Sequence, residues 1–270
     1  MKPSIPIVQE VLTLKSKQYL SPHYIRAVLT GNVAAFKGAT LGDNNKIFIP
    51  PPGISKVHLK SFDSEKGEWV LPPEELRPII RTYTTRALDL ERGELTIDFV
   101  DHGPHGPASN WALAAVPGSE LGVAMKLNQK ELFPLVDHYV LVGDATAIPV
   151  LGVILEGLPA SAKGHCIIEV QDREDRQDLR TPADIGFTWL YNPEPGRDSK
   201  LPEALKEVPL AAGNRFAFVA CEYDSVKEIR QYLRKEMQWT NRELYAFSYW
   251  KRGVAEDKSA QDRREERQAE

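Results

Sequence analysis

Arg81-Thr82-Tyr83-Thr84-Thr85-Arg86, then Leu95-Thr96-Ile97-Asp98-Phe99-Val100, then His102-Gly103-Pro104-His105-Gly106-Pro107-Ala108-Ser109-Asn110-Trp111 is the stretch on which the fold turns. The alternation of Leu95, Ile97 and Phe99 puts one face of an extended segment into a core. On the segment before it, the same alternation sets Arg81 and Tyr83 on one face and turns Thr84 the other way. The segment after it reads as a helix start. Pro107 suits the first turn, Gly106 permits a close backbone approach, and Ser109 is a capping or donating residue.

These residue types share a chemistry. A guanidinium grips phosphate bidentately, a tyrosine ring offers a flat apolar face, and a threonine hydroxyl or amide hydrogen-bonds a ring nitrogen. Amide hydrogens left unpaired at a helix start favour a pyrophosphate. Taken alone, the first piece is an ordinary strand and the third an ordinary turn-to-helix junction. Their order around a core strand reads as the seat of a flavin dinucleotide.

Outward from that stretch, residues 1–130 are short apolar runs: Ile7 to Leu14, Tyr24 to Leu29, Lys46 to Ile49, Lys56 to Leu59, Ile79 to Thr84, Leu95 to Val100 and Glu120 to Met125. Pro50-Pro51-Pro52-Gly53 and Pro72-Pro73 punctuate them. This spacing predicts an antiparallel β-barrel of the six-stranded type, with a short helix between Pro107 and Pro117. Trp111 is either a cover for the adenine side of a dinucleotide or a buried anchor for that helix.

After Pro134 the pattern changes. Residues 131–254 contain continuous apolar runs, Tyr139 to Val142, Cys166 to Val170, Phe187 to Tyr191 and Phe216 to Cys221, with helical segments between them. Such runs predict a doubly wound α/β domain on a parallel sheet. Val226, Ile229, Leu233 and Met237 line one helical face, and Ser225 with Glu228 is read as a capping box. Gly143-Asp144-Ala145-Thr146-Ala147 follows the first strand, where open parallel sheets bind ligands, although it lacks the three-glycine dinucleotide fingerprint. Glu169 and Asp172 are candidate acceptors for a ribose hydroxyl, and Arg173 or Arg176 a candidate partner for a 2'-phosphate; the choice between NADH and NADPH stays open. Residues 255–270 form a charged tail of helical composition in which like charges recur four apart, at Arg263 with Arg267 and Glu266 with Glu270.

Composition narrows the classes. Two domains suit 270 residues, and 42% hydrophobic with 27% charged residues is ordinary for a soluble globular chain. A net charge of -4 argues against a general nucleic-acid binder. Cys166 and Cys221 lie inside apolar runs; two cysteines build neither a disulfide framework nor an iron–sulfur cluster. No His, Cys or carboxylate group shows metal-ligand spacing, so no protein-bound metal is expected. The N-terminus has no leader pattern and no run is long enough to span a bilayer, so a cytoplasmic location is the expectation; a monomer is expected as well.

Arg81-x-Tyr83-Thr84 followed by Gly106-x-x-Ser109 resembles the paired flavin motifs of ferredoxin-reductase-like flavoproteins. The fuller string, with Asp98-Phe99-Val100, His102-Gly103 and Trp111-Ala112, is similar to the siderophore-interacting proteins. So are Gly143-Asp144-x-Thr146-Ala147-x-Pro149 and Tyr249-Trp250-Lys251-x-Gly253. The resemblance implies an FAD-dependent ferric-siderophore reductase fed by NADH or NADPH. It implies FAD contacts from Arg81, Thr82, Tyr83, Thr84, Phe99, Val100, His102, Gly106, Ala108 and Ser109, with Thr146 facing a nicotinamide cleft. A basic residue at Lys46 is implied near the flavin. Where relatives carry a glycine-proline-basic-glycine turn, this chain has Met125-Lys126-Leu127-Asn128. Lys46, Lys126, Lys251 and Arg252 are the expected groups for an anionic ferric siderophore. Two other outcomes fit the same fold: a flavin reductase serving a small electron-transfer protein, and a non-catalytic siderophore-binding flavoprotein.

Overall fold

Alternating apolar residues carry the first half of the chain into an antiparallel sheet. The computed structural model describes residues 5–254, which form two compact units, one reaching to Leu132 and the other starting at Phe133. The first unit contains β1 (Ile7–Ser21), β2 (Tyr24–Thr30), β3 (Asn44–Ile49), β4 (Ser61–Asp63), β5 (Glu68–Val70), β6 (Ile79–Thr84), β7 (Ala87–Asp89), β8 (Glu94–Val100), α1 (Pro107–Ala114) and β9 (Glu120–Lys126). Seven of the strands make one sheet in the order β6-β3-β9-β1-β2-β8-β7, and β4 and β5 form a separate ribbon.

The expected barrel is present as a curled sheet. Two register shifts in β1, between Leu14 and Ser16 and between Tyr19 and Ser21, bend the long strand, as bulges do. Curling is direct in the packing: Tyr83 on β6 meets Phe99 on β8 with ring centroids 4.7 Å apart, although four strands separate β6 from β8 in the sheet. Leu12, Leu14, Ile25, Leu29, Ile47, Leu95, Ile97, Phe99, Leu121 and Val123 fill the concave side with Phe36 and Trp111.

Two local expectations in this unit are corrected. Residues 56–59 are not a strand. After Pro50-Pro51-Pro52 the chain turns at Gly53, with φ of 81°, and then docks on a side chain. The Val57 amide donates to Glu120 Oε2 at 2.8 Å, and Lys56 Nζ to Glu120 Oε1 at 2.7 Å, so a carboxylate does the work of a neighbouring strand. The β4–β5 ribbon, absent from the sequence expectation, carries Phe62 edge-on to Trp69 at 5.5 Å.

The second unit runs β10 (His138–Asp144), α2 (Ile148–Gly157), β11 (Lys163–Val170), β12 (Asp184–Tyr191), α3 (Leu201–Lys206), β13 (Arg215–Glu222), α4 (Tyr223–Gln231) and β14 (Leu244–Trp250). All five strands are parallel, in the order β12-β11-β10-β13-β14. Val140, Val142, Ile167, Ala217 and Val219 pack with α3 and α4 on one face. Alternation turns Tyr139, Leu141 and Gly143 to the other face. There Gly143 admits α2 closely, because a Cβ on it would stand 2.6 Å from Ala147 Cβ and 3.0 Å from Leu151 Cδ1. Helices on both faces make the sheet doubly wound.

The expected Ser225 cap is also corrected. α4 starts three residues earlier, at Tyr223, and the Glu222 carboxylate at the end of β13 accepts from the Asp224 amide at 2.6 Å. Strand and helix follow each other without a loop, so the last strand residue caps the helix. The charged tail, residues 255–270, lies outside the described residues.

Candidate functional site

In the first unit the site is built from β6 and the start of α1. Register pairs Tyr83 with Asn45 and Arg81 with Ile47, which places these four on the inner face of the curled sheet. Tyr83 continues into an aromatic row, since Phe99 lies 5.5 Å from Trp111. Trp111 is the anchor of its helix: it is 9% exposed, and its indole donates to the Glu120 carbonyl at 3.0 Å. Arg81 is half-buried, and its guanidinium donates to the Ile80 carbonyl at 2.7 Å. Thr84 faces outward but is buried at 7% exposure.

The outer face brings other predicted residues together. Lys46 pairs with Thr82 on β6 and with Ala124 on β9, and Lys126 lies two residues beyond Ala124. Lys46, Thr82 and Lys126 therefore share one side of the sheet, opposite Arg81 and Tyr83. Lys46 Nζ donates to Thr82 Oγ1 at 2.5 Å.

Helix α1 begins on Gly106 without a side-chain cap, and its first intrahelical bond runs from the Asn110 amide to the Gly106 carbonyl. Two amides, those of Ala108 and Ser109, precede that bond and have no intrahelical acceptor. A Cβ on Gly106 would meet His102 Cε1 at 2.3 Å, so the glycine is what lets the imidazole close over the helix start. Ser109 is fully buried and works from within. Its Oγ accepts from the His102 amide at 3.2 Å and donates to Asp101 Oδ1 at 3.4 Å, which shapes the 101–106 loop. Val100 ends β8 immediately before that loop. At its far end the helix is gripped by β1: Lys17 Nζ donates to the Ala112 and Leu113 carbonyls at 2.9 and 2.6 Å. A groove of about 590 Å³ runs beside α1, lined by Pro50, Ile79, Pro107, Asn110 and Ala114 among others.

These residues fit a flavin dinucleotide. The uncapped amides and a half-buried arginine suit its diphosphate, and the Tyr83 ring offers a face for its ring system. In addition, the buried Asn45 Oδ1 has no hydrogen-bond partner among the described residues, a residual acceptor beside Tyr83 that a bound polar ring would satisfy.

In the second unit three strands end in buried acids: Asp144 on β10, Glu169 on β11 and Glu222 on β13. Each carboxylate is occupied. Asp144 Oδ1 accepts from the Thr146 amide at 2.9 Å and from Thr146 Oγ1 at 2.5 Å, while Oδ2 accepts from the Trp250 indole at 2.7 Å. Glu169 accepts from Asn192 Nδ2, Ser199 Oγ and the Lys200 amide at 3.2, 3.1 and 2.9 Å. Glu222 takes the Arg252 amide at 3.1 Å as well as its cap bond. Burial pushes the Asp144 carboxyl up to about 6 against its hydrogen bonds from Thr146 and Trp250, with Glu169 adding to the rise. Among the described residues no group of three His, Cys or acidic side chains is disposed to hold a metal.

This arrangement fixes the end of β14. Trp250 is tied to Asp144 and the Arg252 amide to Glu222, so Lys251 and Arg252 are held by the sheet's own acids. Lys251 Nζ sits 4.3 Å from the Tyr223 ring centroid, and Arg252 lies 3.9 Å from Glu194. Cys221 is completely buried in the α3–α4 core, and burial raises its thiol well above the ordinary range. It packs. The sequence reading takes Glu169 as a ribose acceptor and has Asp144 and Trp250 only within motifs; it does not foresee that Asp144, Glu169 and Glu222 fix the strand ends.

A curled antiparallel sheet with an uncapped helix start, followed by a parallel sheet whose first strand is central, is the fold of the ferredoxin-reductase-like proteins. Residues 13–125 match the siderophore-interacting FAD-binding domain, and residues 136–253 match the siderophore-interacting protein domain. The ferric vibriobactin reductase ViuB of Vibrio cholerae is 33% identical, over 95% of this chain and 94% of its own. The siderophore-interacting protein SipS from Aeromonas hydrophila superposes with a TM-score of 0.82 at 32% identity, covering 96% of this chain and 98% of that one. A siderophore utilization protein from T. fusca gives 0.77 at 30% identity, covering 93% and 96%. The chain belongs to the siderophore-interacting protein family. No helix among the described residues is long and apolar enough to cross a membrane.

Proposed function

We propose that this protein reduces the iron of ferric siderophores, drawing electrons from NADH or NADPH through FAD. The observation that carries the reading is the coincidence of the FAD-domain match, residues 13–125, with the uncapped start of α1 and the Tyr83–Phe99–Trp111 row. FAD, when bound, accepts two electrons together as hydride and releases them one at a time, which is what a pyridine nucleotide donor and a one-electron ferric acceptor require. Arg81 and the amides of Ala108 and Ser109 hold its diphosphate. Tyr83, backed by the buried Phe99, offers the face for its ring, Thr82, Thr84 and Val100 contribute through their backbone, and His102 and Gly106 shape the loop at the helix start. Thr146, fixed by Asp144, belongs to the donor side.

The chelate is recognised by charge. Lys46 and Lys126 on the outer face of the first unit, and Lys251 and Arg252 at the end of β14, present cations to an anionic oxygen chelate. No protein ligand to iron is needed, because ferrous iron is held weakly by hard oxygen donors and leaves once reduced. The protein acts as a monomer in the cytoplasm, with the domain division of residues 1–130 and 131–254.

An anaerobic titration tests the scheme. The purified protein is expected to be yellow, to bleach on addition of NADH or NADPH, and to recolour on addition of a ferric chelate, with two ferrous ions trapped per nucleotide consumed. Bleaching without reoxidation by chelates, relieved by a small electron-transfer protein, would move the assignment to a flavin reductase. A flavin that neither nucleotide bleaches would leave a binding module.

A further inference from the structure

At the carboxyl end of β11 the groups that would welcome an unphosphorylated ribose are spent, and the groups that would welcome a phosphate are not. In open parallel sheets a dinucleotide lies outside the carboxyl ends of the strands, at the point where strand order reverses. The adenosine ribose is read just past the second strand. Here the order reverses at β10, and the second strand of the unit is β11. Its terminal acid, Glu169, is 5% exposed, with both oxygens taken by Asn192, Ser199 and the Lys200 amide. The next acid, Asp172, is exposed but engaged as a helix cap. Its Oδ1 accepts from the Glu174 amide at 3.2 Å, and its own amide is held by Asp175 Oδ2 at 3.1 Å, a reciprocal capping box.

That capped single turn, Arg173–Asp175, sets the cations outward. Arg173 and Arg176 are three residues apart, so they stand on one side of a turn of this pitch. Both are exposed, and neither forms an ion pair among the described residues. Two of the four neighbouring acids, Asp172 and Asp175, are tied into the box; Glu174 and Asp178 point to solvent. Beside them Tyr191 ends β12, in register with Val170 of β11, and is 40% exposed. Arg173 lies over its ring with Cζ 5.6 Å from the centroid. An exposed ring at a strand end is a platform for a purine, and two guanidinium groups next to it, neither held in an ion pair among the described residues, are the natural partners of a phosphate.

We infer that Arg173 and Arg176, with Tyr191 as the adenine platform, select a donor carrying a 2'-phosphate, so that NADPH rather than NADH feeds this protein. The inference rests on the proposed reductase reading and names its electron donor. One charge-assisted contact discriminates by roughly tenfold to a hundredfold. A preference of about a hundredfold in kcat/KM for NADPH is therefore expected from the pair.

Binding of fragments to the full-length flavoprotein tests this without turnover. Calorimetry should show adenosine 2',5'-bisphosphate binding at least ten times more tightly than 5'-AMP, with a difference that shrinks as salt rises. Arg173→Ala with Arg176→Ala should bring the two fragments to equal affinity and leave 5'-AMP unchanged within about twofold. Tyr191→Leu should weaken both fragments alike. Equal affinities in the native protein, or a preference that survives the double substitution, would overturn the inference while leaving the reductase reading intact. If neither fragment binds and neither nucleotide bleaches the flavin, both fall together.

Discussion

The two units handle polar groups in opposite ways. In the curled sheet the candidate side chains from Arg81 to Ser109 sit within thirty residues of sequence, on β6 and on the helix start that follows β8, and Arg81 and Tyr83 among them are only half-buried. In the parallel sheet the polar groups come from strand ends far apart in sequence: Asp144, Glu169 and Glu222 are buried, and their oxygens are taken by the half-buried Trp250 indole, by other side chains and by backbone amides. One unit keeps its chemistry on a rim; the other uses buried acids as rivets that hold the rim of its sheet in shape. The difference follows from geometry. A curled sheet offers a local two-faced surface, whereas a doubly wound sheet is covered on both faces and can be polar only at its edges.

The sharpest test of that contrast lies in the aromatic row. Phe99 is fully buried between Tyr83 and Trp111, so Phe99→Ala is expected to cost about 3–5 kcal/mol in urea unfolding and to lower FAD retention with it. A loss below about 1 kcal/mol would mean that the rim and the core of the first unit are not continuous.

Next in size is the pH response of the buried acid. Asp144 rises from 3.8 to about 6 in the folded state, so the native protein holds a proton there that the unfolded chain has released. Its contribution is therefore full below about pH 4 and is lost as pH climbs through 6, by about 3 kcal/mol in total. Asp144→Asn should remove that slope. The check is the difference between native and variant unfolding free energies at pH 4 and pH 7, which should change by about that amount. A constant difference would place the charge in water rather than in a rivet.

On the rim, Arg81→Ala is expected to weaken FAD binding by about tenfold to a hundredfold, while the stability of the flavin-free protein changes by less than about 0.5 kcal/mol. Fluorescence titration of the apoprotein reads the first effect and urea unfolding the second. The smallest effect belongs to Arg252→Ala. Its side chain is half-exposed and reaches Glu194 only at 3.9 Å, so stability should move by less than about 0.5 kcal/mol, and the backbone bond from its amide to Glu222 survives.

The same contrast explains what could be read before any coordinates. Strand β6 over Ile79–Thr84 and the helix start at Pro107 are legible because alternation and turn residues act over a few positions. The fold class follows from the switch of pattern after Pro134. Residues 56–59 mislead, because an apolar extended run says nothing about whether its partner is a strand or the Glu120 carboxylate. The α4 cap misleads for a related reason: Ser225 and Glu228 have the right spacing, but the end of β13 delivers Glu222 to the Asp224 amide, and the helix is already under way at Ser225. The link from Asp144 to Trp250 spans 106 residues, and no local pattern announces it.

Lys17 reaches across from β1 to hold the last carbonyls of α1. A helix pinned at its tail serves as a fixed ruler for whatever is laid against its head. With the proposed diphosphate at that head, an analogue with a longer or shorter bridge between ring and adenosine is expected to bind less tightly, and Lys17→Met is expected to narrow the difference.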